Sequence, residues 1–393
     1  MPNEIIKVSI KRLIQFCAEE RYIGYSLYDS HSSPIPFKKF GRIPSFLINQ
    51  VVKRSPINFR PLIGVKKDIN PKGYGLFLHS YSLLSNHNIL DHKEVEEKAH
   101  FFFDWLKNNP SKGYSGNCWG YNYYWPKKDG SDVPAYTPSV VVTGFIARAF
   151  LAYYESFKNY EVKDALESCT AFVLNDVHLY KGDDGYCFSY TSVKKDLTVN
   201  ANLLAAEVLA YSDFVNKDSK YTEYIEEVLK FTLHHQNDDG SWYYSFDFES
   251  RKPKKQIDFH QGYVLESLLR LYKYTNIEMS SEAKNKIKKG LSFYYEQQFH
   301  KDGWCYWRFP KKWPVDNHNQ SQGIITFSLF KDYDDRFLPF AEKIADWTIE
   351  NMQDKRGNFY YQKWPLLTNK VNYMRWNQAW ILLALATYLN ERE

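Results

Sequence analysis

One segment recurs along this chain: a glycine in a polar turn, followed within a few residues by aromatic side chains. It reads GYSGNCWGY at 113–121, DGYCFSY at 184–190, DGSWYYS at 239–245, DGWCYWR at 302–308 and RGNFYYQ at 356–362, with a weaker copy, YIGYSLYDS, at 22–30. Gly185, Gly240, Gly303 and Gly357 are 55, 63 and 54 residues apart. A regular recurrence of this kind means one supersecondary unit repeated, each copy burying its apolar face on its neighbours.

The unit is a helical hairpin. Before each segment, apolar residues recur at helical spacing in a polar stretch, as with Tyr224, Ile225, Val228, Leu229 and Leu233. After each segment the chain is apolar nearly all round and rich in Ala, Gly and Ser, as in NLLAAEVLA at 202–210, which is the pattern of a buried helix. Outer helices are predicted near 4–20, 92–109, 161–175, 221–236, 281–298 and 339–353. Inner helices are predicted near 74–85, 137–154, 197–214, 259–274, 320–330 and 376–389. A single hairpin cannot bury both faces, but a closed ring of six can. The expectation is therefore one all-α domain over 1–393, with short aromatic loops or hairpins at one mouth of the ring.

Composition narrows the partner. The chain carries 32 Tyr, 27 Phe and 11 Trp, many of them in polar loops. Aromatic faces with polar edges suit sugar rings, although most Tyr and Phe are expected to fill helix contacts. The net charge of +5 is a mild excess. The dense basic run RKPKK at 251–255 reads as a solvated loop, and no stripe for nucleic acid or polybasic membrane anchor is recognised. Five cysteines are too few, and odd in number, for a disulfide framework. The N-terminus reads as an amphipathic helix without the features of a signal peptide. No apolar run reaches the roughly 18 residues of a membrane span. A cytoplasmic protein without a membrane span is expected.

The six-hairpin pattern resembles the (α/α)6 toroid superfamily of glycoside hydrolases, polysaccharide lyases and sugar epimerases. The stretch QNDDGSW at 236–242 is also similar to the QW repeat of terpene cyclases, a related toroid. Taken together, NFRPLIG at 58–64, the stretch 70–75, QIDFHQG at 256–262, DNHNQSQG at 316–323 and RWNQAW at 375–380 resemble a toroid family from microbial surface-polysaccharide gene clusters. That resemblance spans almost the whole chain and implies a carbohydrate or glycan partner; no cofactor is expected.

In such a ring the starts of the inner helices line one mouth of the central cavity. The polar residues there read Asn200 and Asn202; Asp258, His260 and Gln261; Asp316, His318, Asn319 and Gln322; and Arg375, Asn377 and Gln378. Asn202, Gln261, Gln322 and Gln378, spaced 59, 61 and 56 residues, read as equivalent positions. The first hairpins add His79, and Tyr136 with Thr137. Asn and Asp also cap helices, so Asp258 and Asp316 have a structural alternative. Gln and His cap poorly, and buried amides need partners that a glycan would supply.

Two chemistries fit. Asp258 and Asp316 can be the carboxyl pair of a glycoside hydrolase. Alternatively, the set resembles the Asn-His-Tyr-Arg group of toroid lyases and uronyl epimerases. That resemblance implies His260 and His318 as bases, Asn319 and Asn377 as carboxylate neutralisers and Arg375 as a clamp. The amide-rich composition favours proton abstraction from a uronic-acid-containing glycan. Of the mouth-loop tryptophans Trp119, Trp125, Trp242, Trp304, Trp307 and Trp313, Trp242 reads as a wedge between hairpins. Trp307 and Trp313 read as sugar platforms, with Arg308, Lys311 and Lys312 available to an anionic group.

Other readings fit less well. DYDD at 332–335 matches a terpene-cyclase acid motif but falls in a turn after an inner helix. Cys118, Cys187 and Cys305 lack the spacing of a zinc site, and no CxxC or HExxH occurs, so no metal is expected. A non-catalytic glycan binder or a scaffold remains an alternative. A scaffold would need apolar outer faces, whereas EAKNKIKK at 282–289 is charged.

Overall fold

The computed structural model describes residues 2–127 and 132–392. Its helices, in chain order, are α1 (Pro2–Glu19), α2 (Arg42–Arg54), α3 (Pro71–Leu84), α4 (His92–Asn108), α5 (Val140–Phe157), α6 (Glu161–Asp176) and α7 (Val199–Asn216). They continue as α8 (Thr222–His234), α9 (His260–Lys273), α10 (Ser281–Gln297), α11 (Asn317–Leu329), α12 (Phe337–Met352) and α13 (Trp380–Arg392). The odd-numbered helices from α3 to α13 form the inner ring. Each packs on the next, and α13 packs back on α3, so the ring closes. The outer ring is α1, α4, α6, α8, α10 and α12, with α1 lying on α12 and α13. The expected all-α toroid of six hairpins is therefore the observed fold, and every expected helix is present. The extra helix is α2, inserted in the first hairpin.

Short antiparallel strands stitch the mouth. β1 (Leu179–Gly182) and β2 (Gly185–Phe188) form a hairpin in the register Leu179↔Phe188. β3 (Leu197–Thr198), β4 (Ser245–Phe246) and β5 (Pro253–Lys254) make one sheet. β6 (Val315–Asp316), β7 (Gln362–Lys363) and β8 (Thr368–Asn369) make another. Each of these sheets joins a strand before one inner helix to the loop of the next hairpin.

The repeated glycine has a repeated job. Gly185, Gly240, Gly303 and Gly357 all have φ between +93° and +112°, which side-chain-bearing residues rarely adopt. A Cβ at each would meet a backbone carbonyl oxygen of the next outer helix: Glu227 on α8 at 2.3 Å, Lys289 on α10 at 2.4 Å, Lys343 on α12 at 2.7 Å and Arg12 on α1 at 2.2 Å. The last contact is ring closure itself, reinforced by the Gln353 side chain donating to the Ser9 carbonyl at 3.1 Å.

The aromatic residue after the glycine is tethered by an inner-helix side chain. The Trp242 N–H and C=O bond to the Gln261 amide at 2.8 and 2.7 Å. Gln378 grips Phe359 in the same way, at 2.8 Å for both bonds. Asn202 holds Phe188 N–H and Tyr186 C=O at 2.8 and 2.9 Å. Gln320 holds Cys305 N–H and Gly303 C=O at 2.6 and 3.1 Å. In the second hairpin Thr143 accepts from Trp119 N–H at 3.2 Å.

The expected roles of four amides are corrected here. Asn202, Gln261 and Gln378 are not ligand contacts, because backbone groups already satisfy their amides. The equivalent residue in α11 is Gln320, not Gln322. The Gln322 amide instead donates to Glu266 at 3.2 Å and to Thr326 at 3.1 Å. Trp242 is the expected wedge, fully buried, its indole N–H on the Thr232 carbonyl at 2.9 Å.

Below the cavity, between the inner helices, lies a buried charge cluster. Arg148 on α5 forks onto Glu207 on α7 with two bonds of 2.6 Å and reaches Glu266 on α9 at 2.8 Å. Arg270 bonds Glu266 at 2.9 Å. His79 is packed near this cluster rather than in the cavity, and burial drives its pKa down to about 3. Of the described helices, only α5 has the length and composition of a membrane span. It carries the ion-paired Arg148 and is buried between α3 and α7. All five cysteines are free and buried.

Candidate active site

The starts of the inner helices and the mouth loops enclose a cavity of about 640 Å³. Of the expected site residues, Asn200, Asp258, His260, Asp316, His318, Asn319, Arg375, Trp307 and Arg308 line it. Besides the tethers, Gln322 and Asn377 are absent from its wall. The Asn377 side-chain N–H groups donate to the Phe359 and Val371 carbonyls at 3.2 and 3.1 Å. Tyr136 is half exposed outside the wall, and its neighbour Thr137 takes the place expected for it. Trp313 is also displaced: it stacks on Trp304 with ring centres 4.8 Å apart, leaving the wall to Trp307 and Pro314.

Asp258 and His260 form a dyad at the start of α9. Asp258 Oδ1 accepts from His260 Nδ1 at 2.5 Å, and from the His260 backbone N–H at 3.2 Å. Its Oδ2 accepts from Gln256 at 2.7 Å and lies 3.5 Å from Arg308 Nε. Burial pushes the Asp258 carboxyl up, but His260 and Arg308 together outweigh it and hold the pKa below the ordinary carboxylate value. When the ring is neutral, a carboxylate on Nδ1 selects the tautomer whose Nε2 can accept a proton. Among the described residues Nε2 has no hydrogen-bond partner, and the ring lines the cavity.

His318 is placed differently. Its imidazole is sandwiched between Phe259 and Trp380, with ring centres at 4.4 and 4.5 Å, and Trp376 meets its edge at 4.3 Å. Nε2 is hydrogen-bonded to the Tyr263 hydroxyl, and Nδ1 is buried without a partner among the described residues. Burial, and then the neighbouring Lys72 and Arg375, push its pKa far below that of a free imidazole. A neutral ring with both faces covered holds Tyr263 in place.

Asp316 caps α11 and accepts from His318 N–H and Trp376 Nε1 at 3.0 Å each and from Gln362 at 2.7 Å. Burial raises its pKa to about 6 against these hydrogen bonds. Two of the three carboxyls of the cavity are thus driven apart, Asp258 down and Asp316 up. Asn319 donates to the Tyr306 and Trp307 carbonyls at 2.9 and 3.2 Å and thereby positions the Trp307 loop.

The wall is basic. Lys53, Arg54, Lys72, Lys127, Lys194, Lys254, Arg308 and Arg375 line it, against Asp196, Asp258 and Asp316. Arg375 is buried, with its guanidinium 4.9 Å from the Tyr121 ring and 5.2 Å from Trp376, and its Nε has no partner among the described residues. Lys72 is also buried, its ammonium 3.9 Å from the centre of Phe145. Burial, then Arg375 and Arg148, lower its pKa strongly. Lys72 and Tyr263 were not expected from the sequence. The available signals were a lysine in the first turn of an otherwise apolar helix, and a tyrosine one helical turn after His260. Among the described residues no group of His, Cys, Asp and Glu could hold a metal ion.

No family model matches the sequence, and no curated protein does. Solved structures do match. A family GH76 α-mannanase from Bacteroides thetaiotaomicron is 14% identical, with a TM-score of 0.63 over 84% of this chain and 88% of that one. A cellobiose 2-epimerase from Bacillus thermoamylovorans is 15% identical, with a TM-score of 0.65 over 82% and 88%. An unsaturated glucuronyl hydrolase specific for heparin is 14% identical, with a TM-score of 0.63 over 98% and 97%. At these identities the likeness is one of fold: this chain is an (α/α)6 toroid.

Proposed function

We propose that this chain is a carbohydrate-active enzyme that abstracts a proton from an acidic sugar, as a lyase or an epimerase of a uronic-acid-containing glycan. The observation that carries this reading is the Asp258–His260 dyad, which presents an imidazole nitrogen to a cavity whose wall is rich in cations. The proton at C5 of a uronate is acidic only if the neighbouring carboxylate is neutralised. Arg375 on the floor and Arg308 at the rim supply that charge. His260 takes the C5 proton. Tyr263, kept protonated by burial and steadied by His318, returns a proton to the carbon or to the leaving oxygen. Trp307 offers a face to the sugar. The solved toroids include enzymes that act on mannans, cellobiose and an unsaturated glucuronide, which supports a glycan as the substrate class.

A second reading rests on the opposed carboxyls: Asp316 at about 6 as general acid and Asp258 as base in glycoside hydrolysis. It is the weaker one, because both Asp316 oxygens are already acceptors of donated bonds. A screen of uronate-bearing and neutral oligosaccharides separates the two. Ultraviolet absorbance of a new conjugated double bond indicates elimination, inversion at C5 without cleavage indicates epimerisation, and saturated reducing ends indicate hydrolysis. Turnover of neutral glycans alone, with saturated products, would overturn proton abstraction.

A further inference from the structure

The chain between Asp29 and Asp68 holds no acidic residue and eight basic ones: Lys38, Lys39, Arg42, Lys53, Arg54, Arg60, Lys66 and Lys67. Arg60 is buried on Asp29 at 2.6 Å, whereas Lys38, Lys39, Arg42, Arg54, Lys66 and Lys67 are exposed. The α2 helix lies in this stretch, and its amphipathicity is inverted. Its inward face is largely polar. Asn49 donates to the Tyr28 carbonyl at 3.1 Å and to Ser30 at 3.0 Å, and the Ser45 hydroxyl pairs with His31 Nε2 at 2.6 Å. Its outward face is apolar. Ile43, Leu47 and Val51, at helical spacing, are 65%, 53% and 61% exposed, and Phe40 precedes them at 57%.

This face adjoins the cavity rim. Lys53 and Arg54 at the end of α2 line the cavity. Asn369 in β8 donates to the Ser55 carbonyl at 3.1 Å and so ties the β7–β8 turn to the end of α2. That turn carries Leu366, fully exposed, and Leu367, while Trp364 beside them lines the cavity mouth.

A helix with an apolar stripe flanked by Lys and Arg is the pattern of a segment that lies in a bilayer interface, where the stripe enters the acyl boundary and the cations meet anionic headgroups. A second copy of the chain is a poorer occupant, since an isologous contact would set the same cations against each other. We infer that α2 and the β7–β8 turn dock this protein on an anionic membrane surface, with the cavity mouth turned toward the lipid. This inference does not depend on the reaction proposed above.

The test is cosedimentation of the full chain with vesicles of phosphatidylcholine alone, or of equal parts phosphatidylcholine and phosphatidylglycerol. Measurements are made at about 0.1 M and about 0.5 M salt, where screening differs. Binding is expected to the anionic vesicles at low salt, to weaken about tenfold or more at high salt, and to be lost in I43S/L47S/V51S. K39E/K66E, on exposed lysines, is the second variant should the first fail to fold, and it is expected to weaken binding at low salt. Absence of binding to anionic vesicles, or equal binding by both variants, overturns the inference. So does a lipid-free dimer in sedimentation velocity that I43S/L47S/V51S abolishes.

Discussion

At the residue scale, Asp258 and His260 make the sharpest claim. His260→Ala is expected to lower kcat by about 10²–10⁴-fold and to cost some thermal stability, because the ring also packs on Phe259 and Tyr244 and pairs with the buried Asp258. Asp258→Asn is expected to lower kcat by a similar order, since an amide can donate to Nδ1 and so no longer selects the tautomer with a free Nε2. Steady-state kinetics on a turned-over glycan, with melts as the control, checks both. The buried histidines predict acid lability. Between the free imidazole value of 6.5 and about 3, the unfolded chain takes up a proton at His79 that the folded chain refuses. Stability therefore falls as the pH falls, by up to about 1.4 kcal/mol per pH unit, and His318 adds in the same direction. Asp316 opposes them. Folded, it keeps its proton up to about 6, so acidification from there toward its unfolded value of 3.8 favours the native state. Asp29, Asp196, Asp213 and Asp346 are raised as Asp316 is, whereas His31 and His235 are lowered as His79 is. The test is therefore the difference that His79 makes: between pH 7 and 4, His79→Leu should lose less melting temperature than the wild-type chain. An equal or larger loss in His79→Leu would contradict the burial argument.

At the scale of elements, Gln261 represents the tethers. Gln261→Leu strands a buried N–H and C=O of Trp242 and is expected to destabilise the fold by about 2–4 kcal/mol, with KM unchanged in the folded fraction. Denaturant unfolding reads the first effect and kinetics the second. Gly240→Ala forces a Cβ against the Lys289 carbonyl at a positive φ, and is expected to destabilise by about 1–3 kcal/mol. The helices were legible in the sequence because period and polarity repeat six times, and the strength of the pattern averages over local ambiguity. The tethers were legible as equivalent positions but misread in role. An amide at a helix start looks the same whether its partner is a sugar hydroxyl or a backbone group of the preceding loop. In α11, two glutamines two residues apart left the register open, and Gln320 rather than Gln322 took the place. The α2 helix stayed hidden because it belongs to no repeat. Lys72 stayed hidden because only the closed ring places a residue of the first hairpin beneath Arg375 and His318.

At the scale of the whole molecule, the ring is held by contacts between residues far apart in the chain. Arg148 joins α5, α7 and α9, so Arg148→Ala leaves Glu207 and Glu266 partly uncompensated in the interior. It is expected to destabilise by about 3–5 kcal/mol, whereas R148M with E207L, which removes charges in pairs, should restore part of that loss. The closed ring brings helix starts from separate hairpins to one basic cavity, and there Asp258 and His260 meet Arg375 and Lys72. The most direct measurement of what this cavity does is hydrogen exchange at C5 of a uronate-bearing glycan in deuterated buffer, followed by NMR for the wild-type chain and for His260→Ala. Wild-type protein should place deuterium at C5, or remove that hydrogen with formation of a double bond, and His260→Ala should do neither. Glycan turnover with the C5 hydrogen fully retained, or exchange undiminished in His260→Ala, would contradict proton abstraction by His260.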